Sequence, residues 1–112
     1  MHEMALCESL MAIIEQEATM GRFHQVHSVS LEVGLLAGVE PEALQFGFQA
    51  VTHGTVAEGA ELRILPATAQ ALCVLCGLEE TISRPMSLCP ACHGPLHVSG
   101  GRGLRIKEME VE

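Results

Sequence analysis

Tryptophan and tyrosine are absent, and Phe23, Phe46 and Phe48 are the only aromatic residues. The chain therefore lacks the stacking platforms that hold single-stranded nucleic acid. Basic residues are also few: six Lys and Arg stand against fourteen Asp and Glu, a formal charge of −8. Such a surface repels polyanions, which argues against DNA, RNA and anionic membranes as partners. No apolar run approaches the ~20 residues that span a bilayer. The opening Met1-His2-Glu3-Met4-Ala5 lacks the basic segment of a signal peptide. A cytoplasmic location is expected, and five cysteines in a reducing cytosol read as metal ligands before they read as disulfides.

What is present suffices for a core. Apolar residues make up 48% of 112 residues, enough for one small domain carrying an appendage. Cys7, Met11, Ile14 and Ala18, with Met4 before them and Leu10 beside them, recur at helical spacing. Glu8, Glu15 and Gln16 take the other face, so residues 4–20 are expected to form an amphipathic helix stopped by Gly21. Val29, Leu31 and Val33 alternate with Ser28, Ser30 and Glu32, the pattern of a half-buried strand over 26–33. Pro41 suits the first turn of a second helix. Its apolar face would hold Ala43, Leu44, Phe46, Gly47, Ala50 and Val51, and it would end near His53-Gly54. A second strand is expected over 61–65, stopped by Pro66. A last strand over 104–111 needs a bulge near Lys107-Glu108, because Leu104 and Ile106 share one parity and Met109 and Val111 the other.

The expected fold class is α+β: a small three-stranded, mainly antiparallel sheet with two helices, interrupted by a zinc-ribbon-like four-cysteine module. The domain reading is 1–67 with 103–112 as one α/β body and 68–102 as the insert. That insert holds four of the five cysteines and is rich in turns, so it needs a staple. Cys73-Val74-Leu75-Cys76 and Cys89-Pro90-Ala91-Cys92 are separated by twelve residues. Two such turns can each present two thiolates and complete a tetrahedron around zinc, with Gly77 and Gly94 suiting the turns. A closed four-thiolate set is structural, because no coordination position is left for a substrate. Rubredoxin-like iron, an iron–sulfur cluster and a redox dithiol remain alternatives.

The remaining candidates weigh less. Cys7 on an apolar helix face reads as a core residue rather than a fifth ligand. His93 and His97 are close enough in sequence to support or replace a ligand, although surface positions suit both. His24, His27 and His53 read as caps or surface residues. Gly100-Gly101-Arg102-Gly103 lacks the spacing of a phosphate loop. No nucleophile or acid–base pair stands out, so no enzymatic activity is expected. Met1-His2-Glu3 invites coordination chemistry: the Met1 amine, the His2 amide and the His2 imidazole can close adjacent five- and six-membered chelate rings. Three such nitrogens suit square-planar Ni(II) or Cu(II). A bulky His2 should also hinder removal of the initiator methionine.

Taken together, Met1-His2-Glu3 opening a helix, the α/β body, the paired cysteine motifs and the returning Arg105-Ile106-Lys107-Glu108-Met109-Glu110-Val111 resemble the HypA/HybF family of hydrogenase-maturation nickel chaperones. The likeness runs along essentially the whole chain. It implies a nickel-binding domain, with Ni(II) held through His2 and neighbouring backbone nitrogens beside Glu3, and a separate domain in which Cys73, Cys76, Cys89 and Cys92 hold Zn(II). It further implies delivery of nickel, with the GTPase HypB, to the [NiFe]-hydrogenase large subunit, in some organisms also toward urease, and it leaves room for a homodimer. Some relatives carry a histidine after each cysteine pair, whereas here Gly77 follows Cys76 and only Cys92 is followed by a histidine, His93. That departure weighs against ligand switching at zinc. A zinc-ribbon interaction module without a nickel role is the alternative reading.

Overall fold

The computed structural model describes residues 2–112. Helix α1 (Glu3–Gly21) extends the expected helix by one residue at each end and buries Glu3, Cys7, Leu10, Met11, Ile14 and Ala18. The buried stripe is the expected one except at its start, where Glu3 is buried and Met4 lies at the exposed margin. The helix stops one residue later than Gly21 suggests, because Arg22 takes the left-handed conformation at φ 58°. Gly21 is needed for another reason: a Cβ there would press on the Phe23 ring at 3.2 Å.

Strand β1 (Val26–Gly34) leads to α2 (Pro41–Thr52), with Pro41 in its first turn. Leu44 and Phe48, one turn apart, are fully buried, whereas Phe46 is 72% exposed, contrary to the apolar face expected for it. The two helices meet closely where Gly47 faces Cys7. A Cβ at Gly47 would lie 2.9 Å from the Cys7 sulfur, and the Cys7 thiol donates to the Leu44 carbonyl at 3.4 Å. Cys7 is a core residue, its thiol pushed up in pKa by burial and by the nearby Glu3 carboxylate.

The first sheet has the order β2-β1-β6, with β2 at Glu61–Ala67 and β6 at Leu104–Val111. β2 runs through Pro66 instead of stopping there, which an edge strand tolerates because one side of its ladder has no partner to miss the N–H. β6 lies antiparallel to β1: the Gly34 amide donates to the Gly103 carbonyl, and the Glu112 amide to the Gln25 carbonyl, both at 2.8 Å. As the central strand, β1 is buried on both faces, Ser28 and Ser30 included, rather than half-buried. The Ser28 hydroxyl donates to the Glu110 carboxylate at 2.7 Å, and Arg105 pairs with Glu32 at 2.5 Å. Along β6 the half-buried positions are Leu104, Ile106 and Met109, so the apolar side changes parity after Ile106. That shift falls at Lys107-Glu108, where the irregularity is expected, but the Gly34–Gly103 and Gln25–Glu112 pairs lie equally far apart along both strands, so β6 carries no net extra residue against β1.

The chain forms two compact units: one from residues up to Leu31, Val39–Ile64 and Ile106–Glu112, the other from Glu32–Gly38 and Leu65–Arg105. The second holds its own three-stranded sheet, ordered β4-β3-β5, with β3 at Ala69–Cys73, β4 at Glu79–Ile82 and β5 at Leu96–Ser99. Both pairings are antiparallel, with Ala71 opposite Glu80 on one side and Val98 on the other. Ala69, Ala71 and Ile82 form its buried centre, against which Leu35, Met86, Leu96 and Val98 pack. Leu35, which falls between the strand expected over 26–33 and the helix that Pro41 opens, thus packs against the core of this unit.

Candidate metal centres

At the start of α1, His2 precedes the helix, and its carbonyl accepts the Leu6 amide at 2.9 Å. The Glu3 side chain turns inward and accepts the Glu40 backbone N–H at 3.0 Å, which ties the first turn of α1 to the entry of α2. The His2 imidazole, 52% exposed on its side chain, stands 3.9 Å from the same carboxylate. The Glu40 amide, then Glu3's own amide and the His2 ring, hold Glu3 below the usual carboxylate range, against the opposing effect of burial. This capping of one helix by the first residue of another was not legible in sequence, because thirty-seven positions separate the partners. The Met1 amine lies outside the described residues.

Glu3 therefore links stability to pH. Its folded pKa lies below its unfolded value, so the charged carboxylate stabilises the fold above the unfolded pKa of about 4.3. That contribution is lost as pH falls through the folded pKa. Urea unfolding of wild-type and Glu3→Gln protein should show a difference at pH 7 that shrinks steadily toward pH 3. A difference that is constant across this range would remove the carboxylate from the account.

The second unit gathers Cys73, Cys76, Cys89 and Cys92 so that all four sulfurs lie within 4.8 Å of one another. Cys73 and Cys92 are 3.5 Å apart, and Cys76 and Cys89 3.8 Å. A tetrahedron with Zn–S bonds of about 2.3 Å has edges of about 3.8 Å, so these separations suit that ion. Backbone amides support the sulfurs: Cys76 N–H points to Cys73 and Ala91 N–H to Cys89, each at 3.4 Å. The Cys76 amide is the main reason the Cys73 thiol is held down to about 6. The Gly94 amide acts in the same direction on Cys92, but the hydrogen bonds it shares with Cys73 and Cys76 outweigh it and push Cys92 up to about 12. Four sulfurs this close cannot all ionise unaided, and a divalent cation bound among them would supply the missing charge.

The two cysteine turns are built alike. Gly77 N–H closes onto the Cys73 carbonyl at 3.0 Å, and His93 N–H onto the Cys89 carbonyl at 2.9 Å. Both residues following the second cysteine take positive φ, 79° at Gly77 and 64° at His93. In the second turn the left-handed position thus falls on His93, and Gly94 serves close packing instead, since a Cβ there would come within 2.8 Å of Leu75. His97 stands opposite Leu72 in the β3–β5 register, on the sheet face away from Cys73. Among the described residues the metal-ligating group contains cysteines alone, so neither His93 nor His97 joins it.

A family model described as "Hydrogenase/urease nickel incorporation, metallochaperone, hypA" matches residues 1–111. The chain belongs to the HypA family. It is 47% identical to "Hydrogenase maturation factor HypA" of Acidithiobacillus ferrooxidans and 48% identical to the protein of that name from Bradyrhizobium sp., each match covering all of both chains. The solution structure of the Ni metallochaperone HypA from Helicobacter pylori superposes with a TM-score of 0.68 at 21% identity, covering 99% of this chain and 97% of that one. That likeness carries the fold. The HypA family serves nickel incorporation into hydrogenase as a metallochaperone, a maturation factor and not an enzyme. Among the described residues, no helix is long and apolar enough to cross a membrane.

Proposed function

We propose that this HypA-family chain binds Ni(II) at its amino terminus and hands it on for the maturation of [NiFe]-hydrogenase, while Cys73, Cys76, Cys89 and Cys92 hold a structural Zn(II). Nickel is the cargo, carried by the Met1 amine, the His2 imidazole and neighbouring backbone nitrogens, with Glu3 beside them. The observation that carries the reading is the pairing of an accessible His2 ring with a buried, anchored carboxylate 3.9 Å away. An open terminal site enclosed by few groups leaves room for ligand exchange, which transfer requires. Partner docking then shifts the balance through its differential affinity for the loaded and empty forms. The partners are HypB and the hydrogenase large subunit, in a cytoplasmic setting, with urease as a second destination and a second copy of the chain as a further contact. In domain terms, 1–67 with 103–112 carry nickel and 68–102 carry zinc.

The test is a nickel titration of wild-type, His2→Ala and amino-terminally extended proteins, each with zinc content measured. Loss of a ring ligand should exceed the ~10–100-fold typical of losing a supporting group, and the extension should act similarly by removing the amine. Zinc should stay bound in all three. Nickel affinity should also fall in acid, as protons compete for the nitrogens. Equal nickel affinity in the three proteins would remove the terminal site and favour a zinc-ribbon interaction module.

A further inference from the structure

Helices α1 and α2 run parallel. Their contacts advance together along the chain: Glu3 with Glu40, Cys7 with Leu44, Met11 with Thr55. Because α2 ends at Thr52 while α1 continues to Gly21, the last turns of α1 project past the end of α2. The step between them is a groove of about 480 Å³, lined by Glu15, Ala18, Thr19, Phe23, His24 and the loop that follows α2. It lies at the opposite end of α1 from His2, about 25 Å away at 1.5 Å per helical residue. We propose that this groove binds an organic monocation, a guanidinium or ammonium group carried on a short aliphatic stem.

Charge and shape both point to that ligand. Parallel helices bring their negative dipole ends to the same place, and a cation there is stabilised. Neither helix supplies one of its own: the charged residues of α1 and α2 are glutamates alone. No Lys or Arg lines the groove, and Arg22, which caps α1, is not among its walls. Among the described residues no ion pair involves Glu15, so its exposed carboxylate is open to a cation. Ala18, Phe23 and Val56 give the groove an apolar side on which methylene groups can lie, and an aromatic ring such as Phe23 attracts a cation held within about 6 Å. One carboxylate and one imidazole are too few to hold a metal ion, and among the described residues the metal-ligating group is the four cysteines. The walls are set in advance. Val26 N–H donates to the Val56 carbonyl at 2.8 Å, His24 N–H to the Glu112 carbonyl at 3.1 Å, and the Thr55 hydroxyl to the Thr52 carbonyl at 2.6 Å. A groove already held in this way loses little freedom when a ligand enters.

The test uses the full chain with its zinc in place and no nickel, so it stands apart from the nickel reading. Butylguanidinium and, in a second arm, a capped tripeptide with a central arginine are titrated into isotope-labelled protein, with butylurea as the uncharged isostere. The amides of Thr19, Phe23, His24 and Thr55 should shift and saturate at millimolar butylguanidinium. They should stay in place with butylurea, and added salt should weaken the response. Glu15→Gln should weaken binding about threefold. Glu17→Gln removes the same charge from an exposed residue outside the groove, and it should leave binding within about 1.5-fold of wild type. Saturation by the peptide as well supports the site and identifies the ligand as a side chain of a protein. Saturation by butylguanidinium alone supports it as a site for a free cation. Saturation in neither arm, an equal response to butylurea, or a Glu15→Gln protein that binds as wild type does would overturn the proposal.

Discussion

Cys76→Ser is expected to abolish stoichiometric zinc and to open the second sheet to solvent while α1 and α2 stay folded. The apolar centre of that unit is small: two of its three buried members are Ala69 and Ala71, and an alanine side chain removes little area from water at about 25 cal/mol per Å². Coordination must supply most of the unit's stability, and apparent binding energies for structural zinc run to about 10–16 kcal/mol. Removing one of four thiolates also leaves three crowded sulfurs around an incomplete tetrahedron. Amide exchange in β3, β4 and β5 should rise toward that of an unfolded chain, and a strong chelator added to wild-type protein should reproduce the effect. The four-cysteine assignment fails if the variant keeps one tetrahedral zinc and exchanges in β3–β5 as wild type does.

Gly34→Ala is expected to be strongly destabilising although it adds a single methyl group. A Cβ at Gly34 would stand 2.4 Å from the carbonyl carbon and oxygen of Gly101 and 2.8 Å from the Arg102 nitrogen. Those atoms are backbone, so no flexible side chain can move aside. The crossing also carries two hydrogen bonds, from Gly34 N–H to the Gly103 carbonyl and from Leu36 N–H to the Gly101 carbonyl. Separating the two segments would weaken both bonds and draw Leu35 out of the Ala69–Ala71–Ile82 centre. Overpacking of this kind costs about 1–3 kcal/mol, and the lost contacts place Gly34→Ala at the upper end. Gly103→Ala is the control, since a Cβ there meets nothing within 4 Å, and it should stay within about 0.5 kcal/mol of wild type. Denaturant unfolding of the three proteins decides the matter. Equal midpoints for Gly34→Ala and Gly103→Ala would mean that the crossing is looser than it stands here.

Much of the local structure was legible in sequence because its causes are local. Helical spacing of Cys7, Leu10, Met11, Ile14 and Ala18 located α1, Pro41 located the start of α2, and the shift of apolar parity after Ile106 located the irregularity in β6. The four cysteines announced a metal group because sulfur chemistry leaves few other uses for two paired turns in a reducing setting. The errors arose where a residue's role depends on what packs against it. Phe46 fits the apolar count of α2 yet points outward, because the helix turns Leu44 and Phe48 toward the core. Pro66 ends a strand by local rules, yet it sits within β2 because that strand is an edge. Gly94 looked like the residue for a tight turn, but the left-handed position belongs to His93.

By itself, then, the sequence determined the elements of the body, the cysteine group and the chemistry available at Met1-His2-Glu3. Periodicity, turn residues and ligand types act over a few positions and survive without knowledge of the fold. The tertiary structure alone decided that Glu3 is buried against the Glu40 amide and that Leu35 belongs to the core of the zinc-ribbon-like unit. It also decided that Ser28 and Ser30 lie covered in a central strand. Each of these depends on which distant segment arrives alongside. Burial, hydrogen-bond satisfaction and close backbone approach are pairwise properties of positions far apart in the chain, and no local pattern encodes them.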